Sequence, residues 1–352
     1  MLEAFNGFLW GVPVLGLILG TGIWLMLRTG LVQVRLFPAA CREFGKRLQS
    51  RDSGFRALCT ALAATVGTGN IAGVAGAIAI GGPGAVFWMW VSAFLGMAVK
   101  YAEGTLAVRY RDLKGRAGPM YIICRALGER WRWLAWIYSF FGIIAAFGVG
   151  NATQINAVIV SLKSAGAGER FTIVLGITMA VTVGIMVMGG AKRITGAAEM
   201  LVPVVSGIYV LLCLTALALH WERLPPALGQ ILRGAFTPGA VTGGAVGGMM
   251  TAMRIGVSRG TFTNEAGMGT AAIAHGSAEV EHPASQGLMG IMEVFLDTMV
   301  ICTLTALVIL TSGIGIPYGT QAGAELTAGA LAMPLEKEMA THSIILAGKT
   351  HG

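Results

Sequence analysis

The chain has 352 residues, of which 55% are apolar and 12% charged, with 52 glycines and a formal net charge of +8. A water-soluble domain carries roughly a quarter of its residues as charges, so this composition implies an all-α integral membrane protein with the lipid bilayer as its solvent. The positive charge does not make a nucleic-acid surface, because the basic residues alternate from loop to loop instead of clustering on one soluble face among aromatics.

Eight segments approach the roughly 20 apolar residues that cross a hydrocarbon core of about 30 Å: 8–27, 55–80, 85–107, 133–161, 171–189, 197–219, 242–258 and 285–312. The first follows Met1-Leu2-Glu3 without a basic leader or a small-residue cleavage site, so it reads as a retained helix. The next loop carries Arg28, Arg35, Arg42, Lys46, Arg47, Arg51 and Arg56, and the loop over 108–132 carries Arg109, Arg111, Lys114, Arg116, Arg125, Arg130 and Arg132. Connections on the other side hold only Lys163 and Arg170, or Arg223 and Arg233. The positive-inside rule then places both basic loops in the cytoplasm and the N-terminus outside. Cys41, Cys59, Cys124, Cys213 and Cys302 show no CxxC spacing, and the five histidines have no ligand spacing, so neither a disulfide frame, a metal site nor an organic cofactor is implied.

Two places set glycines beside polar residues at mid-membrane depth, Thr65 to Gly73 and Thr263 to Thr270. Gly67 and Gly69 match Gly267 and Gly269 at an offset of 200 residues, and Phe94-Leu95 matches Phe295-Leu296 at 201. Five spans separate the equivalent points, so the two halves run in opposite directions and form an inverted repeat: 55–219 as the first five-helix unit, and 242–312 as the start of the second. A broken helix in lipid is expected only where ions, ligand or water complete its hydrogen bonds, which makes both breaks candidate binding points. Half-helix N-termini favour a carboxylate and half-helix C-termini a cation. Thr65 and Gly67, at the end of the first half-helix, are accordingly candidate sodium positions, and Gly267 a candidate substrate position. The alternative for Gly69 and Gly73 is a small-xxx-small packing face.

The segment 133–161 places Asn151, Thr153, Gln154 and Asn156 in an apolar run. At α-helical spacing Phe147, Asn151 and Gln154 share a face, either as the wall of a site or as partners in interhelical hydrogen bonds. Glu293 and Asp297, four apart, are either a coupling-ion or proton site or an anchor against Arg254 or Arg259. Lys100 and Glu103 read as a snorkelling, partly paired set at the cytoplasmic end of their helix.

TVGTGNIAGV over 65–74, GGPGA over 81–85 followed by Phe87-Trp88-Met89-Trp90, Lys100-Tyr101-Ala102-Glu103, RGTFTNEAGMG over 259–269 and Glu293 to Thr298 together resemble the alanine or glycine:cation symporters of bacteria and archaea, over roughly residues 1–330. The resemblance implies a leucine-transporter-like bundle of two inverted five-helix repeats preceded by one extra helix, in the cell membrane. It implies Na+-coupled symport of alanine or glycine by alternating access, with no enzymatic activity. It also implies substrate contacts from Thr68, Gly69 and Asn70, with Gln154 opposite and Phe262 covering the site. Family members continue for about three more spanning helices, whereas 313–352 contains no run long enough to span, so the second repeat is expected to be truncated. The rival reading is a shortened, non-transporting membrane paralogue that binds ligand or a partner chain. Oligomeric state is not legible.

Overall fold

The computed structural model describes residues 11–164, 166–237 and 248–333, and these are helical with irregular connections. Among the described residues, five helices are long and apolar enough to cross a bilayer: 85–109, 129–164, 169–188, 190–219 and 283–312. A sixth crossing consists of Ser53–Thr65 and Gly69–Gly81, bent by 50° at a short break. The outer expected spans are shorter. α1, Val12–Arg28, has 17 residues, and the helix Met249–Asn264 has 16; residues 8–10 and 242–247 of those two readings lie outside the described residues. The expected non-spanning stretch from 313 includes an apolar helix over Ala324–Met333, and residues 334–352 of it lie outside the described residues.

Local chemistry sets the boundaries. Pro13 opens α1, where a missing N–H costs nothing. α2, Phe37–Ser50, is an amphipathic helix in what the sequence reads only as a basic loop. α3, Ser53–Thr65, is capped by Asp52, whose carboxylate accepts from the Phe55 N–H at 2.9 Å. After the first break come a π turn over Gly69–Gly73 and α4, Val74–Gly81. α5, Ala85–Arg109, lies at the centre and is largely buried. α6 (Arg132–Ala145) and α7 (Thr153–Ser164) are joined by a π segment, Ala146–Ala152, and are followed by α8 (Glu169–Met188) and α9 (Gly190–Leu219). α8 is almost wholly exposed, so its apolar surface is left for lipid or other membrane-embedded chains.

α10, Leu224–Phe236, was not anticipated; the sequence offers only its prolines and two arginines as a loop. It packs on α5 through a backbone contact, since a Cβ on Gly84 would stand 2.0 Å from the Gly234 carbonyl carbon. Gly84→Ala is therefore expected to displace α10 and destabilise the fold by about 1–3 kcal/mol, read as a lower thermal midpoint in detergent. The chain closes with α11 (Met249–Asn264), α12 (Thr270–His275), α13 (Pro283–Val294), a π segment Phe295–Cys302 and α14 (Thr303–Ser312). One core cluster joins α4, α5, α9, α10 and α14 around Ile78, Met89, Ile231 and Ile309; a second joins α2, α3, α5 and α13 around Leu58, Met97 and Met289.

Candidate functional site

Two interrupted helices meet at one point. α3 stops at Thr65, Val66 turns extended, and the chain resumes as helix at Gly69. A Cβ on Gly69 would lie 3.1 Å from Thr263 Oγ1 and 3.2 Å from Thr263 Cα, so the first break touches the end of α11 with no room for a side chain. α11 ends one residue later. Glu265 is left-handed at φ 54°, Gly267 and Gly269 follow at 89° and 79°, and α12 begins at Thr270. Glycine relieves the strain at two of these three left-handed positions, and Glu265 bears it at the third.

Side chains of the protein itself complete much of the interrupted backbone. Asn70, 1% exposed, accepts from the Gly67 N–H through Oδ1 at 2.9 Å. Its Nδ2 donates to the Asp297 carbonyl at 3.0 Å and to Asp297 Oδ1 at 2.8 Å, tying the first break to the π segment after α13. The Thr68 N–H donates to Gln154 Oε1 at 3.2 Å. At the second break the N–H groups of Gly267 and Gly269 both donate to Glu103 Oε1, at 2.9 and 3.3 Å, while Tyr138 donates to the Met268 carbonyl at 3.1 Å. Thr270 also donates to the Glu265 carboxylate. The expectation that only a guest could satisfy these breaks is thus corrected, since carboxylate, amide and hydroxyl groups from neighbouring helices do much of it.

Glu103 is a member of this cluster that sequence reasoning missed, placing it at the membrane surface. The available signal was an acidic side chain in an otherwise apolar helix, which must find donors. Glu103→Ala would leave two amides of the second break without an acceptor and is expected to destabilise the fold by about 1–3 kcal/mol. Glu103→Gln, which retains a carbonyl acceptor, should lose less; thermal unfolding of both variants in detergent checks the order.

Lys100 does not snorkel either. It is fully buried, donating to Glu293 Oε1 at 2.8 Å, while the other Glu293 oxygen lies 2.9 Å from His275 Nε2 and Gln286 Nε2 lies 2.7 Å from His275 Nδ1. The Gln286 amide nitrogen can only donate, so the imidazole accepts its hydrogen at Nδ1 and donates its own from Nε2 to Glu293. Glu293 is therefore anchored by α5 and α12, and not by Arg254 or Arg259. Asp297, fully buried, accepts from Asn70 and from the Thr298 hydroxyl at 2.8 Å, and among the described residues no cationic side chain pairs with it.

Of the residues singled out from sequence, Thr65, Gly67, Thr68, Gly69, Asn70 and Gln154 come together at the first break. Phe262 is half-buried on α11 beside Thr263. Gly267 sits at the second break with its N–H taken by Glu103. Phe147 and Asn151 are not part of the cluster: Phe147 is 73% exposed, and Asn151 donates to the Ala146 carbonyl of its own segment. The reason is the π segment Ala146–Ala152, whose wider turn breaks the α-helical register that would have put both on the face of Gln154.

The arrangement sets a carbonyl-rich helix end and an N–H-rich helix end against each other deep in the apolar bundle, a geometry suited to a small solute with separate charges. The chain matches the sodium:alanine symporter family over residues 1–347, past the point near 330 where the sequence motifs fade. A sodium/alanine symporter of Methanococcus maripaludis is 42% identical over 341 residues, covering 93% of this chain and 74% of the relative. An uncharacterised transporter of Haemophilus influenzae is 45% identical over 325 residues, covering 89% and 70%. An amino-acid carrier protein of Bacillus subtilis is 40% identical over 300 residues, covering 84% and 63%.

Proposed function

The chain belongs to the sodium:alanine symporter family, a family of multi-pass membrane transporters and not of enzymes, and from that premise we propose that it carries a small neutral amino acid, alanine or glycine, together with Na+. The observation that supports this most is the contact of Gly69 with Thr263, which brings both helix breaks to one point. The architecture fits a leucine-transporter-like inverted repeat, with α3 and α11 as the interrupted first helices of the two halves and the N-terminus outside. Transport then proceeds by alternating access about a fixed central site.

In this reading the amino-acid carboxylate and ammonium lie against the backbone of Thr68 and Gly69, with Gln154 and Phe262 around them. Na+ is held near the end of α3 at Thr65 and Gly67. The close approach of Gly69 to Thr263 leaves little space, which supports a small side chain on the substrate. A Bacillus subtilis relative named a probable sodium/glutamine symporter, 38% identical over 317 residues, makes glutamine the natural competitor to test.

Uptake of labelled alanine into vesicles holding the purified chain, with and without an inward Na+ gradient, is the decisive measurement. Accumulation that requires the gradient and is competed by glycine but not by glutamine is expected. Sodium-independent or absent uptake would count against coupling, and alanine binding without movement would favour the non-transporting rival. Gln154→Ala removes the acceptor for the Thr68 N–H, a bond worth about 1 kcal/mol, and is expected to weaken apparent alanine affinity about fivefold.

A further inference from the structure

Away from the breaks, α2, α3, α9 and the π segment after α13 line a cavity of about 250 Å³. Its wall is formed by residues such as Phe44 and Leu48 from α2, Leu58 from α3, Val202 from α9 and Leu296 from the π segment; Ser206 supplies the one hydroxyl among its lining side chains. A space lined this way offers water almost no partners and stays dry. Leu48, Pro203 and Gly207 on its rim are exposed, so it opens on the outer surface of the bundle, where the solvent is hydrocarbon.

The charge above the cavity is one-sided. α2 carries Phe44 and Leu48 into the cavity and Lys46 between them outward, and it ends at Arg51. Three carboxylates on this face are already engaged: Glu43 and Asp52 pair with Arg47, and Glu199 pairs with Arg56. Among the described residues, Lys46 and Arg51 are exposed and have no carboxylate within 4 Å.

The geometry points to a binding site for one anionic phospholipid, with an acyl chain in the cavity between α3 and α9 and the phosphate at Lys46 and Arg51. An acyl chain supplies the apolar filling that a dry cavity in the membrane demands. Two unmatched cations toward the end of this amphipathic helix supply the headgroup site, each worth about fivefold in affinity near a membrane surface. Because α3 runs directly into the first helix break, the lipid would sit against the arm of an interrupted helix.

The test uses the purified, delipidated full chain in detergent, titrated with phosphatidylglycerol or with phosphatidylcholine while the thermal midpoint is followed. Phosphatidylglycerol is expected to raise the midpoint at concentrations at least tenfold lower than phosphatidylcholine. Lys46→Gln and Arg51→Gln should each shift that titration about fivefold to higher lipid. Gly207→Leu places a side chain into the cavity from its rim; nothing lies within 4 Å of an added Cβ there, so the helix itself is undisturbed. That variant should lose the lipid-dependent rise. Equal action of the two lipids, or an undiminished rise in Gly207→Leu, would overturn the proposal. As a second measurement on the unaltered chain, phosphatidylglycerol with a photoreactive tail should crosslink to peptides of α2, α3 and α9; crosslinks spread evenly over the exposed face of α8 would overturn it as well.

Discussion

Lys100→Met is expected to destabilise the protein by about 3–5 kcal/mol, the largest loss foreseen from a single side-chain replacement in the described residues. The lysine and Glu293 are both fully buried, and removing the cation leaves a carboxylate in the bundle interior with only His275 to answer it. The chain should then fail to purify as a monodisperse species in detergent, or unfold at a much lower temperature. The pair as such is not needed for stability, because the desolvation of two charges offsets much of their attraction. Combining Lys100→Met with Glu293→Gln removes both charges and keeps an acceptor for His275. The double variant is expected to recover most of the loss. If the single and double variants unfold at the same temperature, the cost does not arise from the stranded charge.

Asn70→Asp should reduce sodium-dependent alanine uptake at least tenfold. The substitution turns the donor that now lies 2.8 Å from Asp297 Oδ1 into a carboxylate oxygen, and two carboxylates at that distance cannot both ionise. Either a proton is taken up between them or the clasp joining the first break to the π segment opens. Exchanging the two residues, Asn70→Asp with Asp297→Asn, restores one amide and one carboxylate. Partial recovery in the exchange variant identifies the contact itself as the requirement. Equal loss in single and double variants would show that each residue acts separately.

Long apolar runs made most crossings legible from sequence, since a span of 20 residues has few alternatives. Both helix breaks were legible too, because Gly67-Thr68-Gly69-Asn70 and Asn264 to Gly269 combine left-handed or unwound backbone with polar groups that lipid tolerates only inside a bundle. The partners of those groups were not. Glu103 lies one turn from Lys100, and nothing local says that one carboxylate turns to the second break while its neighbouring cation turns to α13. Asn70 and Asp297 are separated by 227 residues, and only the tertiary fold makes them neighbours. The misplacement of Phe147 and Asn151 has a different origin. A spacing argument assumes 3.6 residues per turn, and the π segment over Ala146–Ala152 slips that register without any sequence mark. α2 and α10 were missed because helices of 14 and 13 residues are too short to read as spans.

The carboxylate that Glu103 lends to the second break bears on what such a protein must do between loads. A symporter makes half of its cycle vacant, and bare amides in hydrocarbon at that stage would pull the molecule into whatever collapsed shape could quench them. In the proposed cycle, Glu103 holding Gly267 and Gly269, and Asn70 holding Gly67, would let the empty protein keep its form on the return step.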